Sequence, residues 1–84
     1  MKTVLITGAG GGIGKQTSLY FAKNNWTVIA TLLHPNEGDD FKNIPNIFCY
    51  EMDVTSTESI ALATEKIVQN HPKIDTIINN AGMG

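Results

Sequence analysis

The chain contains no arginine and carries little net charge. Its eight acidic residues and six lysines leave a formal charge of −2 over 84 residues. Proteins that bind nucleic acids need clustered lysine and arginine side chains to neutralise phosphate groups. The composition therefore argues against nucleic acid as a partner.

A single cysteine excludes an internal disulfide. Cys49 lies in the apolar run Ile47–Tyr50, where a free thiol usually behaves as a small core residue. A catalytic thiol needs a histidine partner, and no histidine lies near Cys49 in the sequence. We therefore expect Cys49 to be buried in the core.

Long hydrophobic runs are also missing. The N-terminal apolar residues Val4–Ile6 give way to glycines before they reach the length of a signal-peptide core. The sequence predicts no membrane partner and a cytoplasmic location. Residues 1–84 are expected to form one small domain, since a chain of this size buries only about 60 to 65 per cent of its surface on folding.

Four segments rich in β-branched and apolar residues predict strands. Such residues on both faces are typical of strands buried in a parallel sheet. The segments are residues 2–7, 26–33, 47–52 and 74–79.

Helical spacing of apolar residues predicts two main helices between these strands. The first covers Ile13–Asn24 and ends at Asn24 and Asn25. Its expected inner face comprises Ile13, Thr17, Tyr20 and Phe21, with Asn24 as a further candidate.

The second helix begins within Thr55–Ser59, where Thr55 and Glu58 have the spacing of a capping box. It ends before Pro72, because the residue preceding proline is pushed out of helical geometry. Its expected inner face comprises Ile60, Ala63 or Thr64, Ile67 and Val68.

Residues 34–46 contain two prolines and a glycine, and leave room for at most one helical turn around residues 39–43. The connections between the strands are long enough for parallel pairing. The order of elements therefore predicts an α/β protein with a parallel sheet.

A glycine-rich loop, Thr7–Gly14, lies between the first strand and the first helix. At such a junction the pyrophosphate of a dinucleotide meets the amides and the positive dipole of a helix N-terminus. The alternative is a flexible glycine turn that binds no ligand. The position between a buried strand and a helix favours the nucleotide site.

Two common phosphate-binding motifs do not fit this loop. A nucleoside-triphosphate loop needs glycine where Ala9 stands and a hydroxyl residue where Gln16 stands. The spacing G-x-G-x-x-G needs a further glycine at Ile13 or at Lys15. Both motifs are therefore excluded.

The motif Thr-Gly-x-x-x-Gly-x-Gly does fit, with Thr7, Gly8, Gly12 and Gly14. It resembles the loop of the short-chain dehydrogenase/reductase family. Gly8, Gly11 and Gly14 also match the Gly-x-x-Gly-x-x-Gly of the family's extended branch. Two later motifs favour the ordinary branch, namely Asp53-Val54 after the third strand and Asn79-Asn80-Ala81-Gly82 at the end of the fourth.

The resemblance implies part of a Rossmann fold, with four parallel strands in the order 3-2-1-4 and two main helices. It implies that Asp53 accepts a hydrogen bond from the adenine amino group while the Val54 backbone contacts the ring. Asn80 would brace the central strands and, with Ala81 and Gly82, border the adenosine ribose. The resulting set of cofactor-binding residues is Thr7, Gly8, Gly10, Gly11, Gly12, Ile13, Gly14, Leu33, Asp53, Val54, Asn80, Ala81 and Gly82.

The cofactor implied by this resemblance is NAD or NADP, and the sequence does not resolve which. An acid at the end of the second strand favours NAD and an arginine favours NADP, but Leu32, Leu33 and His34 stand there. We expect weak discrimination by charge. His34 and Lys15 are both interpreted as solvent-facing residues.

The family's Tyr-x-x-x-Lys pair, which supplies the proton in hydride transfer, does not occur in the chain. Tyr20 is followed four residues later by Asn24, and Tyr50 by Val54. The sequence is therefore interpreted as the N-terminal, cofactor-binding half of a short-chain oxidoreductase, inactive by itself. The alternatives are a stand-alone nucleotide-binding module and a structural fragment that binds nothing. An open edge at residues 74–79 predicts self-association.

Overall fold

The structure is a computed structural model that describes residues 1–81, and these residues form one parallel four-stranded sheet. Its strands are β1 (Thr3–Ile6), β2 (Thr27–Leu32), β3 (Ile47–Glu51) and β4 (Thr76–Ile78), in the order β3-β2-β1-β4. The helices are α1 (Gly12–Lys23), α2 (Thr57–Asn70) and a 3₁₀ helix (Pro35–Phe41). The α/β class and the strand order agree with the sequence prediction. Within the described range no helix is long and apolar enough to cross a bilayer.

The main core lies between the sheet and α1. Side chains alternate between the two faces of a strand, so that Val4 and Ile6 of β1 point to the same side as Val28 and Ala30 of β2. Ala22 of α1 packs against this cluster. α2 lies on the opposite face, because right-handed crossovers place the helices on different sides when the chain reverses its direction across the sheet.

The helix α1 contacts the sheet through small residues. Gly14, Ser18 and Ala22 are buried at intervals of four, whereas Ile13 is 78% and Tyr20 is 65% exposed. The hydroxyl of Ser18 is satisfied within the helix, where it donates to the Gly14 carbonyl oxygen at 2.8 Å. A close approach of helix and sheet leaves room only for short side chains at the contact. This corrects most of the face expected from the sequence, although Phe21 is half-buried against the core.

A two-turn 3₁₀ helix replaces the single turn expected around residues 39–43. Proline at its first position has a backbone angle suited to helix initiation. The Glu37 carboxylate caps the helix by accepting a hydrogen bond from the His34 amide at 3.1 Å. Phe41 ends the helix and is inserted into the core with 2% exposure. The capping contact is local, since Glu37 stands three residues after His34. The burial of Phe41 depends instead on tertiary contacts, which local sequence statistics do not include.

Cys49 is exposed and not part of the core, which corrects the sequence interpretation. It lies on the edge strand β3, where the nearest part of the 3₁₀ helix is Gly38, which has no side chain to cover it. Partial desolvation still raises the pKa of the Cys49 thiol. The thiol therefore has less thiolate character at neutral pH than an ordinary cysteine.

The N-terminus of α2 lies within the predicted segment 55–59, which offers several possible caps, and Ser56 rather than Thr55 is the one used. Ser56 is the N-cap residue, and its hydroxyl accepts a hydrogen bond from the Ser59 amide at 3.2 Å. Thr55 instead donates to Asp53. Ala63 and Ile67 are buried as expected, whereas Ile60 and Val68 are exposed, because α2 packs mainly against the single edge strand β3.

His71, which follows α2, packs against two aromatic side chains of β3. Its Nε2 lies 3.0 Å from the Tyr50 hydroxyl, and its ring centroid lies 5.0 Å from that of Phe48. Desolvation lowers the pKa of His71, so that folding favours the neutral imidazole.

Acidification should therefore destabilise the fold through His71. Protonation favours the unfolded chain when the folded pKa lies below the unfolded one, so this stability is present at higher pH and is lost as pH falls below about 6.5. Thermal unfolding followed between pH 8 and pH 5 should show a decrease in Tm that is smaller in His71→Gln. His34→Gln controls for the loss of a histidine. An unchanged pH profile in His71→Gln would contradict this assignment.

Candidate functional site

The candidate site lies at the carboxyl end of the sheet, where β1 and β4 are neighbours. The chain leaves β1 for β2 on one side, and β4 joins β1 on the other. Ligands of open α/β sheets bind at such a switch point. A cleft of about 930 Å³ opens there. Of the residues predicted from the sequence, those that line it are Gly8, Gly11, Gly12, Ile13, Leu33, Asp53, Val54, Asn80 and Ala81.

The remaining predicted residues have other positions. Thr7 and Gly14 are buried behind the cleft. Gly10 lies beneath the side chain of Glu37. Gly82 is outside the described residues.

Two glycines of the loop are required by close packing. Gly8 has a φ of +63°, and a Cβ there would lie 2.9 Å from the Ala81 Cα. A Cβ on Gly14 would collide with the Gly8 carbonyl oxygen and would lie 2.5 Å from the side-chain Nδ2 of Asn80. Gly11 differs, since no atom lies within 4 Å of the position of its Cβ. The loop is therefore closed on its inner side and open toward the cleft.

The Thr7 hydroxyl connects the loop to the end of β4. It donates to the Asn79 side-chain oxygen at 3.0 Å, and it accepts from the amides of Asn80 and Ala81 at 3.0 and 3.1 Å. The Asn80 side chain donates to the Gly8 carbonyl oxygen at 3.0 Å. The predicted bracing role of Asn80 is consistent with these contacts, which keep the loop and the β4 end together.

Thr31 is a further loop contact that the sequence reasoning did not identify. Its hydroxyl accepts from the Gly8 amide at 3.3 Å, and its carbonyl oxygen accepts from the Ala9 amide at 2.9 Å. Thr31 is buried near the end of β2. A hydroxyl residue within an otherwise apolar strand was the available signal, because a buried polar group needs a partner.

The N-terminus of α1 faces the cleft without a side-chain cap. The N-cap residue is Gly11, and among the described residues no side chain caps this helix and no acid lies in its first turn. The first amides of a helix have no partner within the helix and attract anions. The loop therefore presents backbone donors to a ligand without a competing carboxylate from α1.

Asp53 follows β3 and is held in a tight turn. Its Oδ1 accepts hydrogen bonds from the Thr55 hydroxyl at 2.6 Å and from the Thr55 amide at 2.9 Å. These bonds lower the pKa of Asp53, the hydroxyl contributing most. Both bonds use Oδ1, so Oδ2 is the oxygen left for a ligand. The Asp53 amide donates to Ser59 Oγ at 2.9 Å, which joins the turn to α2.

Glu37 of the 3₁₀ helix is an acid that the sequence reasoning overlooked, and it contacts the backbone just after β2. The Glu37 Oε1 accepts hydrogen bonds from the amides of Leu33 and His34 at 3.0 and 3.1 Å. Lys15, expected to face solvent, instead forms an ion pair with Asp40. His34 is exposed, as expected.

Known proteins similar to this chain are short-chain dehydrogenases and reductases. Residues 2–84 match the family model described as short chain dehydrogenase. The chain is 41% identical to the 3-oxoacyl-[acyl-carrier-protein] reductase FabG of Thermotoga maritima, with 98% of this chain and 35% of the relative covered. It is 37% identical to the 3-ketodihydrosphingosine reductase of Bacteroides thetaiotaomicron, with 96% and 28% covered. The chain thus spans about a third of the length of these relatives.

Solved structures show the same architecture. A short-chain dehydrogenase from Streptomyces avermitilis superposes with a TM-score of 0.88 at 28% identity, over 96% of this chain and 30% of that one. ElxO with NADP bound has a TM-score of 0.83 at 37% identity, over 96% and 35%. A 4-hydroxyisoleucine dehydrogenase complexed with NADH has a TM-score of 0.87 at 26% identity, over 98% and 34%.

The packing of the loop predicts effects of different size for two alanine substitutions. Gly14→Ala should lower the free energy of unfolding by about 1–3 kcal/mol, because the new methyl group meets backbone and the Asn80 amide. Gly11→Ala, the matched control, should change it by less than about 1 kcal/mol, since its Cβ enters open space. Denaturant unfolding measures both. Equal effects of the two substitutions would contradict the packing described.

Proposed function

Since this chain belongs to the short-chain dehydrogenase family, we propose that residues 1–84 are the dinucleotide-binding half of an NAD(P)-dependent oxidoreductase. The observation that carries the proposal is the glycine loop at the switch point of the sheet, where α1 begins without a side-chain cap. The spaces beside Gly8 and Gly14 are filled by backbone, while the cleft side of Gly11 and Gly12 is open. A pyrophosphate fits this arrangement of donors and free space.

The proposed contacts divide the nucleotide into three parts. The loop amides and the start of α1 bind the pyrophosphate, Asp53 and Val54 bind the adenine, and Leu33 lies beside the adenosine ribose. Thr7 acts by positioning the loop. Asn80 positions the loop as well and, with Ala81 and Gly82, borders the adenosine ribose. Support comes from the hydrogen bonds of Thr7 and Asn80, which all go to the loop and the β4 end.

The cofactor, when bound, carries a hydride at the nicotinamide C4, which is exchanged with a carbonyl or alcohol carbon of the substrate. Within the 84 residues no tyrosine is followed four residues later by a lysine. We therefore assign nucleotide binding alone to this stretch, and propose that proton transfer and substrate selection need residues outside it. The reductase names of two relatives support a carbonyl substrate class.

The proposed location is the cytoplasm. The one cysteine of the sequence is exposed, and a free exposed thiol persists best in a reducing compartment.

Titration with NADH tests the adenine contact. Asp53→Ala should weaken binding by at least about tenfold, because it removes a hydrogen bond between the ligand and a charged acceptor. Thr55→Val is the matched control: it removes the hydroxyl bond to Asp53 but keeps the carboxylate, and should change affinity by less than about threefold. Fluorescence of the bound dihydronicotinamide or calorimetry measures the Kd. No binding at millimolar NADH, or equal affinity of Asp53→Ala and the original chain, would refute the assignment.

A second candidate role is self-association, favoured by the edge strand β4. Within the described residues β4 pairs with β1 alone, and its Thr76 and Ile77 are exposed, Ile77 by 64%. An uncovered apolar edge is a template for pairing with another strand. We propose that residues 74–79 of two copies pair across a two-fold axis.

Ile77→Lys should abolish this association, because a lysine on an edge strand opposes strand pairing. Val68→Lys, at an exposed position of α2, is the matched control for added charge. Sedimentation velocity at increasing concentration should show dimers for the original chain and for Val68→Lys, and monomers for Ile77→Lys. A monomeric original chain at high concentration would rule the interface out.

A further inference from the structure

The Glu37 side chain occupies a fixed place between β2 and the glycine loop. One carboxylate oxygen accepts two hydrogen bonds from consecutive backbone amides at the end of β2, those of Leu33 and His34. On the loop side, a Cβ built on Gly10 would lie 2.5 Å from the carboxyl carbon and from Oε1 of Glu37. The carboxylate therefore lies directly over Gly10. Any residue with a Cβ at this position would collide with it.

This place matters for a bound dinucleotide, and here the inference rests on the function proposed above. In a dinucleotide-binding fold, the adenosine ribose lies between the end of the second strand and the glycine loop. Leu33 lines the cleft at that point. Glu37 belongs to the 3₁₀ helix and not to β2, and it is not among the residues that line the cleft. Its carboxylate nevertheless lies between the Leu33 amide and Gly10, the two segments that would flank the adenosine ribose.

Among the described residues, the fixed charges nearest Glu37 are mostly acidic. The same helix carries Asp39 and Asp40, which add negative charge next to Glu37. Lys15, the lysine of the first turn of α1, pairs with Asp40, and Lys42 lies 3.6 Å from Asp39. The sequence holds no arginine. A phosphate dianion would therefore meet carboxylates and lysines that already have acidic partners.

Family membership does not set the cofactor preference, since similar structures hold NADP in one case and NADH in another. We propose that Glu37 makes the site selective for NAD(H) over NADP(H): its carboxylate accepts a hydrogen bond from the ribose 2′-hydroxyl and repels a 2′-phosphate. This replaces the weak discrimination expected from residues 32–34. The acid is supplied by the helix that follows the strand.

The experiment measures the Kd of NADH and of NADPH for the full chain and for Glu37→Gln. The glutamine oxygen can still accept the two amide hydrogen bonds, so the 3₁₀ helix keeps its cap. Glu65→Gln, at an exposed position of α2, is the control for the same change in net charge. Circular dichroism of each variant verifies the fold.

The original chain and Glu65→Gln should bind NADH at least about tenfold more tightly than NADPH, and Glu37→Gln should lower this ratio by about tenfold. In the original chain, raising the salt concentration from about 0.05 to 0.5 M should narrow the ratio, since salt screens the repulsion of the phosphate. This second measurement does not depend on the folding of any variant.

Two results would overturn the inference in different ways. If the original chain binds NADPH as tightly as NADH, or if Glu37→Gln leaves the ratio unchanged, Glu37 does not select the cofactor, while the proposed function stands. If neither nucleotide binds the original chain, the proposed function fails and the selectivity falls with it.

Discussion

The buried hydroxyl of Thr7 is the contact on which the rest of the site depends. One oxygen atom donates to Asn79 and accepts from two successive amides at the end of β4, and so joins segments that are more than seventy residues apart in the chain. The Asn80 side chain then reaches the Gly8 carbonyl oxygen. These groups lie at the end of a sheet with only one thin layer of core on each face. Hydrogen bonds therefore hold the loop and the β4 end in place where a larger protein would also bury apolar surface.

Much of the fold could be predicted from the sequence because it depends on local patterns. The runs of β-branched residues predicted all four strands, with ends that differ by no more than two residues, and Asn25 with its positive φ follows α1 where the stop was expected. The residue pattern placed the glycine loop between the first strand and the first helix, whereas Asp53 was identified by the resemblance to a known family. The resemblance to a known family supplied the strand order.

The predictions that were wrong or incomplete have a common cause: they depend on how closely helices and strands approach one another. The inner face of α1 is made by Gly14, Ser18 and Ala22, and nothing in a hydropathy pattern favours a contact through such small residues over one through Ile13 and Tyr20. Cys49 is exposed because β3 is an edge strand beneath Gly38. Glu37 was overlooked as a site residue because it comes after the strand end, and only the 3₁₀ helix brings its side chain back over Gly10 of the loop.

The small-residue face of α1 links the two ends of that helix. Its three buried residues span two turns, about 12 Å, which is most of the helix. Their small size sets the distance between the helix axis and the sheet. A bulkier residue at Ala22, far from the proposed ligand site, would push that end of the helix away from the sheet. The resulting tilt would change the position of the first-turn amides relative to a bound phosphate. For this helix, thermodynamic stability and anion affinity are therefore coupled quantities, and variation at its hidden face would be felt at its open end.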